Sequence, residues 1–207
     1  MDVGLNKIRQ SNLVSDYKPS GLRQFNGRDE MLKKYNEVLG LPVISAKDGM
    51  KIGTIKDVVF CKDSKGILAF VMDKGSYAVK GNIILLENVL SLGNDALITD
   101  DPDNLLDYRS FKKIYNIQDR NSLRGLKIFT HSGEDLGVVQ DVLFDYRTGK
   151  VEGVQVSDGL VQDIIMGRNI LPFFGKIEIG SSNILVENEA VEEMISTGGG
   201  LRSRLEN

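Results

Sequence analysis

Twelve residues, Gly49 to Phe60 (GMKIGTIKDVVF), return 84 positions later as Gly133 to Phe144 (GEDLGVVQDVLF). The correspondence runs without a gap from Gly49/Gly133 to Gly75/Gly159. Within it Gly53/Gly137, Asp57/Asp141, Val58/Val142 and Phe60/Phe144 are identical. Self-similarity of this kind means one structural plan written twice. In a chain of 207 residues it implies two small units of about 70–80 residues each. A domain that small buries only about 60% of its unfolded surface. Each half is therefore marginal alone and gains from packing on the other half or on another chain.

The local pattern predicts short strands. In the first unit these are Leu41–Ser45, Lys51–Phe60, Ile67–Asp73, Val79–Lys80, Ile83–Leu86, Leu90–Leu92 and Ala96–Thr99. Turn residues punctuate them, such as Asp48-Gly49, Gly81-Asn82 and Gly93-Asn94-Asp95. Gly53 stands inside a strand, where glycine marks a bulge, a bend or close backbone approach. The second unit repeats the scheme with Leu126–Thr130, Gly137–Phe144, Lys150–Val156, Ile164–Met166, Ile170–Leu171, Ile177–Ile179 and Asn183–Val186. Many short strands at such spacing predict an all-β fold of two tandem small barrels. Before them, the spacing of Met31, Leu32, Tyr35, Val38 and Leu39 predicts one or two helical turns stopped by Gly40. Residues 1–36 are expected to form a flexible leader, or a docking peptide using Leu13, Val14, Leu22 and Phe25. Residues 37–104 form the first domain, 105–120 a short helical connector, 121–190 the second domain and 191–207 a flexible tail. The connector's Leu105, Leu106, Tyr108, Phe111, Ile114 and Tyr115 are too apolar for a free linker, so part of it is expected to pack on a barrel.

Composition excludes several classes. The net charge is −3 and the pI about 5.3, without the high pI of a dedicated nucleic-acid binder. No run reaches the length of a membrane span. The first residues are charged and lack the apolar core of a secretory signal. Cys61 is the only cysteine, which fits a reducing cytoplasm.

No motif carries catalysis. His131, the single histidine, lies in a turn, and a nucleophile–base mechanism needs a base beside its nucleophile. Cys61 lies at a strand end beside Lys62 and reads as an ordinary turn cysteine. Asp100, Asp101 and Asp103, near Asp95, lack the closing glutamate of a calcium loop. No glycine pattern leads from a strand into a helix as a phosphate loop would. Neither a metal nor a cofactor is expected. Asp57 and Asp141 sit in different units and read as carboxylates that accept backbone N–H bonds at a strand bend. A shared acid–base cleft would need them to converge. Phe60 and Phe144 are expected to fill two separate cores. Phe173 and Phe174, with Ile165 and Met166, form an apolar cluster that the first unit lacks. It reads either as contact within the chain or as an interface with another chain.

These residues resemble the PRC-barrel family. The resemblance rests on Gly40, Pro42, Val43, Ser45, Asp48, Gly49, Gly53, Ile55, Asp57 and Phe60, on the run Leu86–Gly93, and on Gly125, Ile128, Thr130, Gly133, Gly137, Val139, Asp141 and Phe144. It covers about residues 37–100 and 121–188. The family includes the cytoplasmic domain of the reaction-centre H subunit and the C-terminal domain of the ribosome maturation factor. The tandem arrangement is similar to PRC-barrel proteins of Gram-positive bacteria. The resemblance implies architecture and protein–protein contact rather than catalysis. The expectation is a cytoplasmic, non-enzymatic interaction or assembly scaffold that binds a protein partner and is open to homodimer formation. The alternatives are a ribosome-assembly or RNA-processing accessory, and a small-ligand binder using the groove between barrels. A pocket lined by Phe173 or Phe174 would favour the last.

Overall fold

The computed structural model of the chain describes residues 31–61, 64–74, 79–115, 122–157 and 170–196. Residues 1–30 of the predicted leader 1–36, the predicted strand Ile164–Met166 and residues 197–207 of the predicted tail lie outside them.

Each repeat folds into a sheet of the same order. In the first unit the strands are β2 (Pro42–Ser45), β3 (Lys51–Cys61), β4 (Gly66–Lys74), β5 (Ile83–Leu85), β6 (Val89–Leu92) and β7 (Leu97–Thr99), arranged β5-β4-β3-β2-β7-β6. In the second they are β8 (Lys127–Thr130), β9 (Asp135–Asp145), β10 (Val151–Val156), β11 (Ile170–Pro172), β12 (Ile177–Ile179) and β13 (Asn183–Val186), arranged β11-β10-β9-β8-β13-β12. All neighbours are antiparallel except β2–β7 and β8–β13, which run parallel. The chain is thus all-β, two small barrels in tandem. Among the described residues, no helix is long and apolar enough to cross a membrane.

Curvature comes from bulges placed alike in both copies. Opposite β2 the register slips at Ile52, and opposite β4 it slips at Lys56. In the second unit it slips at Leu136 and Gln140, the repeat equivalents. A bulge adds a residue to one strand, bends it and increases its twist. Gly53 permits the bend by close approach, since a Cβ there would run into the Asp73 carbonyl and the Met72 side chain. Gly137 does so by conformation as well, with φ +108°.

Helix α2 (Tyr108–Tyr115) is the helical connector. Phe111 plugs a small cluster with Val59, Ala69, Ile83 and Leu85, and Leu106 pairs with Ile83 at the free side of β5. Helix α3 (Asn188–Ser196) follows β13 and packs on β11.

Three expectations are corrected. Val79–Lys80 is not a strand, because β5 takes its outer partner from Leu106 instead: Asn82 N–H and Ile83 N–H both donate to the Leu106 carbonyl. Met31–Leu39 is only partly helical. Leu32–Lys34 is strand β1, and the helix α1 is confined to Tyr35–Val38. The physical reason is an unsatisfied edge. β9 presents free backbone groups at Leu143–Asp145, and β1 pairs with them antiparallel across the boundary between the units. Finally, Phe60 and Phe144 do not fill separate cores. Both belong to one continuous apolar cluster built from both units, with Phe144 against Phe70 of the first unit at 6.3 Å between ring centroids. Each barrel is too small to close over its large residues alone, so they close over each other.

This continuity has a measurable consequence. Phe144→Ala should destabilise the chain by about 3–5 kcal/mol, the usual range for a buried phenylalanine. The loss should be global in hydrogen exchange, with amides of β4 losing protection together with those of β9. Loss confined to the second unit would show two independent cores.

Candidate functional site: the seam between the units

The seam is built by backbone before side chains. Leu32, Lys33 and Lys34 register with Asp145, Phe144 and Leu143, and the Tyr146 N–H donates to the Met31 carbonyl at 3.2 Å. On the other flank two hairpin tips meet. The Ile67 N–H donates to the Gly149 carbonyl at 2.7 Å, and the Val151 N–H donates to the Lys65 carbonyl at 3.2 Å. Only glycine fits at the crossing: a Cβ on Gly66 would lie 2.6 Å from the Gly149 carbonyl oxygen. Lys33 is 8% exposed, and its ammonium donates to the Asn94 side chain in the β6–β7 turn at 2.8 Å. A residue paired with the second sheet thereby ties down a turn of the first. A buried ammonium needs such a partner.

The two repeated aspartates converge on α1 between them. The Tyr35 hydroxyl donates to Asp57 Oδ1 at 2.7 Å, and the Val58 N–H donates to the same oxygen at 2.8 Å. One residue further on, the Asn36 N–H donates to Asp141 Oδ1 at 3.1 Å, and the Val142 N–H donates there at 2.9 Å. Asp141 is 5% exposed, whereas Asp57 is exposed. Each carboxylate follows directly on its bulge, which turns the side chain toward the boundary. Across it, the Arg124 guanidinium lies 4.9 Å from the centroid of the Tyr35 ring while its Nε donates to the Gln140 carbonyl at 3.0 Å. Burial, then the hydrogen bond and charge of Asp57, push the Tyr35 phenol up to about 12, against the smaller opposing effect of Arg124.

The remaining motif positions lie in turns or in the core. Gly49 and Gly133 occupy turns with φ +72° and +94°. Phe60 is buried against Tyr35, with ring centroids 6.1 Å apart. Phe173 is buried and Phe174 packs half-buried on the core, so neither ring forms an exposed patch. Ile165 and Met166 lie outside the described residues. His131 faces Glu187 at 3.9 Å, and the neighbouring Ser132 hydroxyl bonds Thr130 and Asn188 rather than the imidazole. Cys61 is half-buried with a free thiol.

The acidic turn is internally engaged. Asp101 accepts from Lys47 Nζ at 2.7 Å and from the Asp103 N–H at 2.9 Å, and these bonds, Lys47 first, hold its carboxyl below the usual range. Asp100 accepts from the Asn104 amide at 2.8 Å. A cleft of about 250 Å³ lies here, lined by Lys47, Asp48, Val79, Lys80, Asp101, Pro102 and Asp103. Among the described residues no three acidic, histidine or cysteine side chains gather as metal ligands.

The meeting of Asp57 and Asp141 at one dipeptide was not legible from the sequence. The available signal was their identity at equivalent positions combined with Tyr35 just ahead of the first unit. Their bonds engage both carboxylates with donors from α1 and from their own strands. Asp141→Ala leaves two amides without their acceptor, one in each unit. It should lower stability by about 1–3 kcal/mol per unsatisfied group in urea unfolding. Asp57→Ala, at an exposed position, should lose less, and an equal loss would refute this assignment.

Tyr35 gives a pH signature. Its folded pKa lies above its unfolded value near 10. A raised pKa means the unfolded chain releases the proton first, so the contribution is complete below about 10 and is lost as pH rises to about 12. Wild type should lose stability across that window more steeply than Tyr35→Phe, as read by denaturant midpoints at each pH.

Comparison with known families agrees with this architecture. The PRC-barrel domain matches residues 31–106 and again residues 117–192. The first match begins at Met31, immediately before β1. Comparison with curated proteins gives no match. Matched twice over most of its length by the same domain, and folded twice into the same sheet order, the chain belongs to the PRC-barrel family as a tandem member.

Proposed function

We propose that the chain is a non-catalytic assembly scaffold of the cytoplasm, a protein-binding module whose two barrels act as one body. PRC-barrel domains are an interaction-type family, and this supports the reading at its coarsest level. The observation that carries it further is the fate of the repeated carboxylates. Asp57 and Asp141, the acidic pair shared within the gap-free repeat, are engaged by Tyr35, Asn36 and their own strands. That supports a role in holding surfaces in a fixed relation rather than in proton transfer. A scaffold benefits from such rigidity, because partner surfaces ordered in advance lose less entropy on binding.

The ligand-binding alternative finds less support. The cleft at Lys47 is lined mainly by charged groups, and Phe173 and Phe174 do not line it. The RNA-accessory alternative would be served by a basic face running across both units. The cations of α2 lie on the first unit, whereas α3 on the second carries glutamates.

The test is a crosslinking pull-down with the full chain in cytoplasm of its native host. The expected result is recovery of a defined protein partner. A bait that recovers none, together with a measured turnover on any substrate, overturns the proposal.

A further inference from the structure

The two units end differently. After β7 the first unit leads into α2, sequence YRSFKKIY, with Arg109, Lys112 and Lys113 and no acidic residue. After β13 the second leads directly into α3, sequence NEAVEEMIS, with Glu189, Glu192 and Glu193 and no basic residue. Both lie beside the outer strand of their own sheet, though on different faces. α2 is fixed by Phe111 over Ala69, Ile83 and Leu85 on β4 and β5. α3 is fixed by Ala190 and packs on β11, which stands where β5 stands in the first unit. Each unit is thus followed by a helix beside its outer strand, one basic and one acidic.

Both helices present charge outward. Arg109 and Lys113 are exposed, as are Glu189 and Glu192, and none of the four side chains makes an ion pair among the described residues. Beside its cations α2 also exposes Ile114 at 61% and Tyr108 at 45%, two of the largest apolar side chains left open to solvent. The Lys112 ammonium lies 5.7 Å from the Tyr108 ring centroid. An apolar pair flanked by cations is the composition of a contact core with a charged rim.

We propose that α2 of one copy docks against α3 of a second copy. The inference rests on the reading of the chain as an interaction module and gives that module its first partner, itself. The second copy is chosen as occupant by charge complementarity, since the chain carries both halves of the contact. The contact is heterologous: the surface used on one copy differs from the surface used on the next. Such contacts close into rings or grow into open chains, unlike the two-fold pairing of identical patches. A scaffold of this design extends by adding copies. The hydrogen bonds of the seam within each copy remain untouched, because none of them involves α2 or α3.

The experiment is sedimentation of the full chain from about 10 µM to about 1 mM, the range in which weak contacts register. Association beyond the monomer should appear at about 0.05 M salt and fall away at about 0.5 M, where screening shortens the reach of exposed charge. Arg109→Glu with Lys113→Glu should abolish association, and so should Glu189→Lys with Glu192→Lys. Mixing these two double variants should restore it, since one then carries two acidic helices and the other two basic ones. All four changes in one chain should restore self-association. Circular dichroism and thermal melting verify that each variant folds. A chain monomeric throughout, double variants that associate like wild type, or a mixture that stays monomeric overturns the proposal. A pull-down that recovers a different protein from a monomeric chain overturns this inference and leaves the interaction reading standing.

Discussion

The backbone pairing of β1 with β9 is the constraint on which the rest depends. Three residues that precede the first barrel complete the sheet of the second. Once they are paired, Tyr35 and Asn36 have nowhere to go but between the units, which brings them to Asp57 and Asp141. Lys33, alternating on the same strand, reaches the β6–β7 turn. The hairpin tips at Gly66 and Gly149 then close the far side, and the apolar residues between them form one cluster. Each unit has too little interior to be secure alone. Together they bury a core of ordinary size.

Identical residues have taken unequal duties within this frame. Asp57 and Asp141 each accept the N–H of the next residue, an arrangement dictated by the bulge they share. Their second bonds differ. Asp57 takes a phenol from its own unit, at an exposed site, while Asp141 is buried and takes a backbone amide from the other unit. The buried Asp141 carboxylate serves two amides that lie in different units, so its loss is felt in both. The exposed copy is cushioned by water. One ancestral position has become a weld on one side of the seam and a brace on the other.

Much of the architecture was legible because β-structure writes itself in period and punctuation. Alternation along Val151–Val156, turn residues at Asp145–Gly149 and the interior glycines give strands, hairpins and bends with little ambiguity. Periodicity reports which face is buried, however, and not against what. Met31, Leu32, Tyr35 and Val38 have helical spacing, yet pairing with β9 outcompeted the helix at Leu32–Lys34. Phe60 and Phe144 are buried as their pattern demands, but whether two buried rings lie in one core or two is a property of packing. The same gap hid the place of Phe173. A phenylalanine in a loop after Pro172 looks exposed, yet its N–H bonds the Glu152 carbonyl and draws the ring inward.

The seam also determines where any partner can act. A small domain that needs a companion would ordinarily find it in a second chain, through the face its own core leaves open. Here duplication supplies that companion in the same chain, and the face is consumed by β1, α1 and the two hairpin tips. A two-fold dimer through that face would have to break the β1–β9 ladder and expose Asp141. Further association must therefore use outer surfaces, among them the two oppositely charged helices. Residues bound into the seam are constrained by both units at once, while the exposed charges of the helices after β7 and β13 make none of its hydrogen bonds. Freed from mutual constraint, they could acquire opposite charge without loss of fold, and it is this asymmetry that distinguishes one end of the molecule from the other.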